Sequence, residues 1–440
     1  MKKRIVICLD GTWNQVMDPA TVTNVVKIAQ AVRPIANDQT PQIVYYNSGV
    51  GTGDLVDKVL GGIFGRGLRN NVKRAYAFLS LNYNPGDEIY IFGFSRGAYT
   101  ARALAGVIGA SGILEKHQFQ NFEVAWNYYR LPKSVRKVLE LPTVDVLASR
   151  IGFSLSDDVK ATVAKLKERC DARMPSKLAA YLHFKMKGSF IQDVRIRCVG
   201  VWDTVGSYGI PAGVGLGALM RIVTAWLLRG FHDTEIGDKV DIGLHAVALD
   251  ERRRPFAPTF WTIDASKQPV AHVEQVWFAG SHANVGGSYK DTGLSSLSLI
   301  WMCARVAELG QQTFGSALDF DEDFLKACSD PSPFGTLYRS EAGWPVSTVF
   351  PYRRPVLAPR AVKVNVFWNG EDPKQVHVAE QIHWSVFKRL GNLAAIRFFG
   401  NSLLSFGLKS VYDPKNLTGV TIPPDRITQP TPMEQRINPQ

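Results

Sequence analysis

One stretch of this chain has residue types suited to covalent chemistry: Gly93-Phe94-Ser95-Arg96-Gly97. A serine hydroxyl attacks an acyl carbon when a base takes its proton and backbone donors hold the developing oxyanion. Two other residues could complete such a relay. Asp203, in Trp202-Asp203-Thr204-Val205-Gly206, follows 194–201, which is apolar apart from Arg195 and Arg197 and reads as a strand. His282, in Ala279-Gly280-Ser281-His282-Ala283-Asn284, follows 273–278, which also reads as a strand. Each stands just past a buried-strand pattern, in a turn of small residues. There an acid can orient a histidine and a histidine can reach a serine.

The elements around the serine fit that role. Glu88-Ile89-Tyr90-Ile91-Phe92 reads as a strand and Ala98-Tyr99-Thr100-Ala101-Arg102-Ala103-Leu104 as a helix. Strand, Gly-x-Ser-x-Gly and helix form a nucleophile elbow, and the order Ser95, Asp203, His282 is that of the α/β hydrolases. Gly93 and Gly97, without Cβ atoms, let strand and helix approach closely. The bland alternative is a glycine-rich turn with an idle serine. His245 and His272 are reserves for the base, each better read as structural, and Asp10 and Asp250 are reserves for the acid.

The first strand, 4–9, is a continuous apolar run that delivers Asp10-Gly11-Thr12-Trp13-Asn14 to its end. Gly11 and Thr12 are candidate oxyanion donors beside the N–H of Arg96, with an ordinary Asp-Gly turn as the equal alternative. Thr21 or Thr23 can cap a helix through Val25, Val26 and Ile28. Residues 42–47 read as a strand. Leu68, Val72, Ala75, Tyr76 and Leu79 recur at helical spacing. Residues 245–253 read as the end of a helix, 294–309 as a helix and 382–387 as helix-like, and the proline-rich tail from Pro423 as extended or disordered.

Composition narrows the class. A hydrophobic fraction of 45% and a charged fraction of 20% are those of a globular protein. The five cysteines, Cys8, Cys170, Cys198, Cys303 and Cys328, form no C-x-x-C pair, so zinc and redox motifs are unsupported, and the serine relay itself calls for no metal and no organic cofactor. The net charge of +12 suits an anionic membrane surface or nucleic acid. No nucleic-acid recognition signature accompanies it, so nucleic acid is not expected as a partner. Met1-Lys2-Lys3-Arg4 imitates a signal peptide, but the apolar core is too short and Asp10 ends it, so the chain reads as cytoplasmic when made.

The motifs quoted above, with Gly49-Val50-Gly51-Thr52 and Gly200-Val201-Trp202-Asp203-Thr204-Val205-Gly206, resemble the α/β-hydrolase domain family of type VI secretion lipase (phospholipase) effectors. The resemblance spans about residues 4–310 and returns near 382–390. It implies a nucleophile at Ser95, an acid at Asp203, a base at His282, phospholipid as substrate, and export by type VI secretion with a secretion-system or immunity protein as partner. One departure stands out. The family usually reads His-x-Asp-Val-Gly-Gly-Gly-Tyr, whereas this chain has His282-Ala283-Asn284-Val285-Gly286-Gly287-Ser288-Tyr289.

The expected fold is therefore α/β: an α/β-hydrolase-like, mostly parallel central sheet flanked by helices, with helical cap and lid insertions. Residues 1–310 would form the catalytic domain. Within it, 115–190 would be a basic helical cap and 209–231 an apolar lid, with Leu219 and Trp226 toward substrate. Residues 311–440 would pack on the core and end in a partly extended tail. The leading functional expectation is a serine hydrolase of lipid esters. A soluble carboxylesterase or thioesterase with the same triad, and a catalytically silent binding or scaffold protein with the same fold, are the alternatives.

Overall fold

The structure, a computed structural model, describes residues 2–11, 21–49, 62–130, 188–205, 235–253, 256–263, 271–340, 352–357, 379–398, 406–418 and 420–438. Thr12, most of the expected cap, and the expected lid with Leu219 and Trp226 lie outside the described residues.

The strands are β1 (Arg4–Leu9), β2 (Gln42–Asn47), β3 (Glu88–Phe94), β4 (Ile113–Leu114), β5 (Phe190–Ile191), β6 (Ile196–Trp202), β7 (Val240–Ala248), β8 (His272–Phe278), β9 (Leu337–Arg339), β10 (Glu380–Ile382), β11 (Leu393–Phe398) and β12 (Phe406–Val411). The helices are α1 (Asn24–Ala31), α2 (Gly62–Asn82), α3 (Arg96–Ser111), α4 (Phe122–Tyr129), α5 (His282–Gly286), α6 (Gly293–Phe314), α7 (Glu322–Cys328), α8 (Trp384–Arg389) and α9 (Pro432–Ile437).

Seven strands form one sheet in the order β10-β8-β7-β6-β3-β1-β2, with every neighbouring pair parallel. Strands buried on both faces carry apolar side chains throughout. In β1, Val6 and Cys8 face a core shared with Val25 and Ile28 of α1 and Leu299, Met302 and Val306 of α6. Ile5, Ile7 and Leu9 face the other core, with Val72, Tyr76 and Leu79 of α2 and Leu104 and Ile108 of α3. The sheet is thus covered by helices on both sides. From β1 the chain moves outward to β2, then crosses back to β3 on the other side of β1. The carboxyl ends of β1 and β3 therefore flank the switch point where open α/β sheets hold their ligands.

Three sequence expectations need correction. Residues 245–248 belong to β7, not to a helix. A short apolar run with alanines carries no period that separates strand from helix, and here pairing with β6 and β8 decides it. Ile382 belongs to edge strand β10, and the helix expected there begins after His383, whose side chain caps Ser385 N–H. The described tail, 420–438, is not extended throughout: it ends in α9. Pro432 occupies the first turn of α9, and Thr431 and Glu434 close a reciprocal capping box, so the prolines mark a helix start.

The C-terminal residues also complete the central sheet. β10 pairs with β8 at its edge, while β9, β11 and β12 make a separate three-stranded sheet.

Candidate active site

Ser95 sits between β3 and α3 with φ 58° and ψ −118°, a region that non-glycine residues enter only under strain. The turn is held from two sides. Ser95 N–H donates to Trp202 O at the end of β6, at 3.1 Å. A Cβ on Gly97 would lie 2.1 Å from Leu9 O, so only glycine lets α3 start against the end of β1. The serine is partly exposed above the sheet.

Asp203 follows β6 at φ 37° and is fully buried. Its N–H donates to Ala246 O at 2.7 Å, which fixes the turn to β7. His282 opens α5 just beyond β8 and is 6% exposed. The structure brings these three residues together. Ser95 Oγ lies 2.8 Å from His282 Nε2, and His282 Nδ1 lies 2.6 Å from Asp203 Oδ2. A carboxylate only accepts, so Nδ1 carries the proton and Nε2 is left to accept from the serine hydroxyl. The imidazole packs between the rings of Phe94, 4.7 Å away, and Phe256, 5.0 Å away and edge-on.

The environment of Asp203 contains a residue that sequence reasoning missed. Arg354, also fully buried, donates from Nη1 to Asp203 Oδ1 at 2.5 Å and from Nη2 to Oδ2 at 3.0 Å. Ala248 N–H donates to Oδ1 at 3.0 Å. Burial pushes the Asp203 carboxyl up, but Arg354 and His282 outweigh it and hold the group far below the usual carboxylate range.

A second missed residue, an acid, lies behind the histidine. Buried Glu251 accepts from His282 N–H at 3.2 Å, from Ser340 Oγ at 2.7 Å, and from Arg253 Nε and Nη2 at 2.8 and 2.9 Å. Burial alone would raise it, but Arg253 draws it down to about 2. Arg253 in turn lies over the Phe256 ring at 3.6 Å. The sequence signal for this cluster was the run Glu251-Arg252-Arg253, read only as the end of a helix.

The reserve residues are engaged elsewhere. His245 is fully buried in β7, where Nε2 accepts from Thr204 N–H and Nδ1 faces Gln275 Oε1. Burial drives its pKa down to about 3, so it is a neutral brace for the Asp203 turn. His272 pairs with Glu274. Asp250 accepts from Gly280 N–H and Tyr412 Oη, clasping the ends of β7 and β8. Asp10 accepts from Thr23 Oγ1, Tyr46 Oη and Gly11 N–H. Gly11 N–H donates to Asp10 Oδ1 at 2.7 Å, as in an ordinary Asp-Gly turn. Arg96 heads α3 directly after the serine, and burial lowers its guanidinium to about 10.

Asn284 makes no bond to His282. Its Oδ1 accepts from Ser281 N–H and Tyr338 N–H, and its Nδ2 donates to Thr336 O at 2.9 Å. It closes the capping box of α5 and ties α5 to β9. Ser288 adopts φ 91°, a glycine-like conformation held by a side-chain-bearing residue.

A further Ser–His–Glu series shows that such bonding alone does not make a site. Ser385 Oγ lies 2.7 Å from His383 Nδ1, and His383 Nε2 lies 3.0 Å from Glu434. Ser385 is in a regular helix, 1% exposed, and no substrate could reach it. Among the described residues no cluster of His, Cys, Asp or Glu is placed to hold a metal ion.

Residues 3–305 match the family model described as "T6SS, Phospholipase effector Tle1-like, catalytic domain". The chain belongs to this family. The Tle1-like domain is 28% identical over 274 residues to the uncharacterized protein YEL023C of Saccharomyces cerevisiae, covering 59% of this chain and 33% of that protein. Among solved structures it is similar to an uncharacterized protein from Pseudomonas aeruginosa, at 16% identity and TM-score 0.39 over 75% of this chain and 49% of the other. It is also similar to the Tle1 effector solved bound to the VgrG spike of the type 6 secretion system, at 15% identity and TM-score 0.29 over 67% and 52%. The chain therefore spans about a third of the yeast relative and about half of each solved chain.

Proposed function

We propose that this Tle1-like domain is a serine hydrolase that cleaves a carboxylic ester of phospholipids through an acyl-enzyme. The observation that carries the reading is the unbroken relay Ser95–His282–Asp203, headed by a serine in a strained elbow. Ser95 Oγ bonds to the acyl carbon as its proton passes to His282 Nε2. The imidazolium gives that proton to the departing alcohol oxygen as the ester bond breaks. Water then loses a proton to His282 and adds its oxygen to the acyl carbon. Ser95 leaves with the proton returned, and the fatty acid is released. Asp203 keeps Nδ1 protonated and steadies the imidazolium. The N–H of Arg96, at the positive end of α3, is one oxyanion donor, and the 11–12 turn is the candidate source of a second.

Phospholipid as substrate is supported by the family and by the net charge of +12, which favours anionic surfaces. Among the described residues no helix is long and apolar enough to cross a membrane. The same membership supports export by type VI secretion, with a component of that system as carrier.

Covalent trapping tests the chemistry. A fluorophosphonate should modify the wild-type chain once, on the peptide carrying Ser95, and leave Ser95→Ala unlabelled. Labelling of Ser95→Ala at the same rate would remove Ser95 as nucleophile. A wild type that stays unlabelled while folded would favour a binding protein.

A further inference from the structure

The family match ends at residue 305, yet the buried acid of the site is held by a residue beyond it. We propose that Arg354 is a positioning residue for Asp203, so that the catalytic unit includes the segment 352–357. This rests on the reading of Ser95, His282 and Asp203 as the triad.

The geometry assigns two tasks to one guanidinium. Nη1 bridges Asp203 Oδ1 and Ala248 O, the latter at 2.7 Å, while Nη2 bridges Asp203 Oδ2 and Phe256 O. Both carboxylate oxygens are thereby fixed, and Oδ2 is left aimed at His282 Nδ1. A planar fork does this and a single ammonium cannot. The second task is charge. A carboxyl buried without a countercharge favours its neutral form, which cannot steady an imidazolium.

The segment is anchored for this purpose. Tyr352 N–H donates to Arg252 O at 2.9 Å, pinning it to the loop after β7. Leu357 N–H donates to Glu380 Oε2, which also accepts from Trp277 Nε1 of β8. Arg354 therefore approaches Asp203 from a segment tied at one end to the loop after β7 and at the other to β10. Other titratable or charged groups facing the Asp203–His282 pair, among the described residues, are neutral His245 on β7 and the Glu251–Arg253 pair in the following loop.

Two variants of the full chain separate the tasks. Arg354→Lys keeps the charge and loses the fork; Arg354→Met loses both. The assay is kcat and KM for a soluble p-nitrophenyl ester across pH, with wild type and Ser95→Ala alongside. Arg354→Lys should lower kcat about tenfold or more, within the loss a small misplacement brings, with KM and the acidic limb in place. Arg354→Met should lower kcat about 10²-fold or more. It should also move the acidic limb up by about one pH unit or more, because losing the buried cation beside the coupled Asp203–His282 pair favours the pair's protonated form.

Wild-type kcat in either variant would overturn the proposal. So would equal losses in both with the acidic limb unmoved, which would mark a packing role. If Arg354→Met does not fold, the kcat of Arg354→Lys decides alone. The low-field proton resonance of His282 Nδ1–H provides a readout independent of turnover. It should be present in wild type and weakened or lost in Arg354→Lys; an unchanged resonance would overturn the proposal. No Ser95-dependent turnover in wild type would instead refute the triad reading and leave the resonance to judge Arg354.

Discussion

Replacing Asp203 with asparagine perturbs the site most sharply, because the four bonds to its carboxylate leave no harmless orientation for an amide. Oδ1 accepts from Arg354 Nη1 and Ala248 N–H, and Oδ2 from Arg354 Nη2 and His282 Nδ1. With the new NH2 group toward Ala248, it opposes one backbone donor and one guanidinium nitrogen. With it toward His282, Nδ1 must become the acceptor. The ring then carries its proton on Nε2 and can no longer accept one from Ser95. That tautomer error costs about 10⁴-fold in kcat in a serine protease, and the same order is expected here. Stability should fall as well. Arg354, fully buried, loses its countercharge, and breaking a buried pair from one side costs about 3–5 kcal/mol.

The assays are initial rates on a soluble ester and urea unfolding of the full chain. Coupling should appear in the double variant Asp203→Asn/Arg354→Met, which removes the stranded charge. Its loss of stability should fall short of the sum of the single losses by about 1 kcal/mol or more. Near-normal activity in Asp203→Asn would refute its role as the orienting acid. Additive losses in the double variant would refute the buried pair as a coupled unit.

Two further outcomes concern the surroundings of the histidine. Buried Glu251 has a native value of about 2 against an ordinary 4.5, so the unfolded chain takes up its proton first as the solution is acidified. Its contribution, on the order of 3 kcal/mol, is present above about pH 4.5 and lost as pH falls toward 2. The urea midpoint should drop across that window, with a shallower drop in Glu251→Gln, and equal slopes in both would contradict the assignment. Asn284→Asp would place a carboxylate oxygen against Thr336 O in place of a donor, and should cost about 1–3 kcal/mol without changing the rate per folded molecule. A gain in activity would mean that Asn284 acts on His282.

The elements that present the site were largely legible in the sequence, because each is a local pattern. β1, β2 and β3 are short apolar runs bounded by turns, and α3 begins inside the Gly-x-Ser-x-Gly elbow, at Arg96. Ser95, Asp203 and His282 stood out for standing just past three such runs. What was illegible is non-local. Arg354 follows no motif, and its meaning comes from a contact 151 residues away. Glu251 lay in a stretch read as a helix end, where nothing local marks its burial or its contact with His282. β7 was misread because its alanine-rich end has no helical or alternating period. The tail was misread because prolines signal either disorder or a helix start, and only the Thr431–Glu434 box separates the two. The Asn284 departure became interpretable only once its bonds to Ser281, Thr336 and Tyr338 were in view.

The most direct test of the central claim is fatty-acid release from mixed anionic phospholipid vesicles, wild type beside Ser95→Ala. Release by wild type and none by the variant is the result expected of a phospholipase whose nucleophile is Ser95. Release at equal rates by both, or hydrolysis of soluble esters by wild type with vesicle lipid left intact, would contradict it.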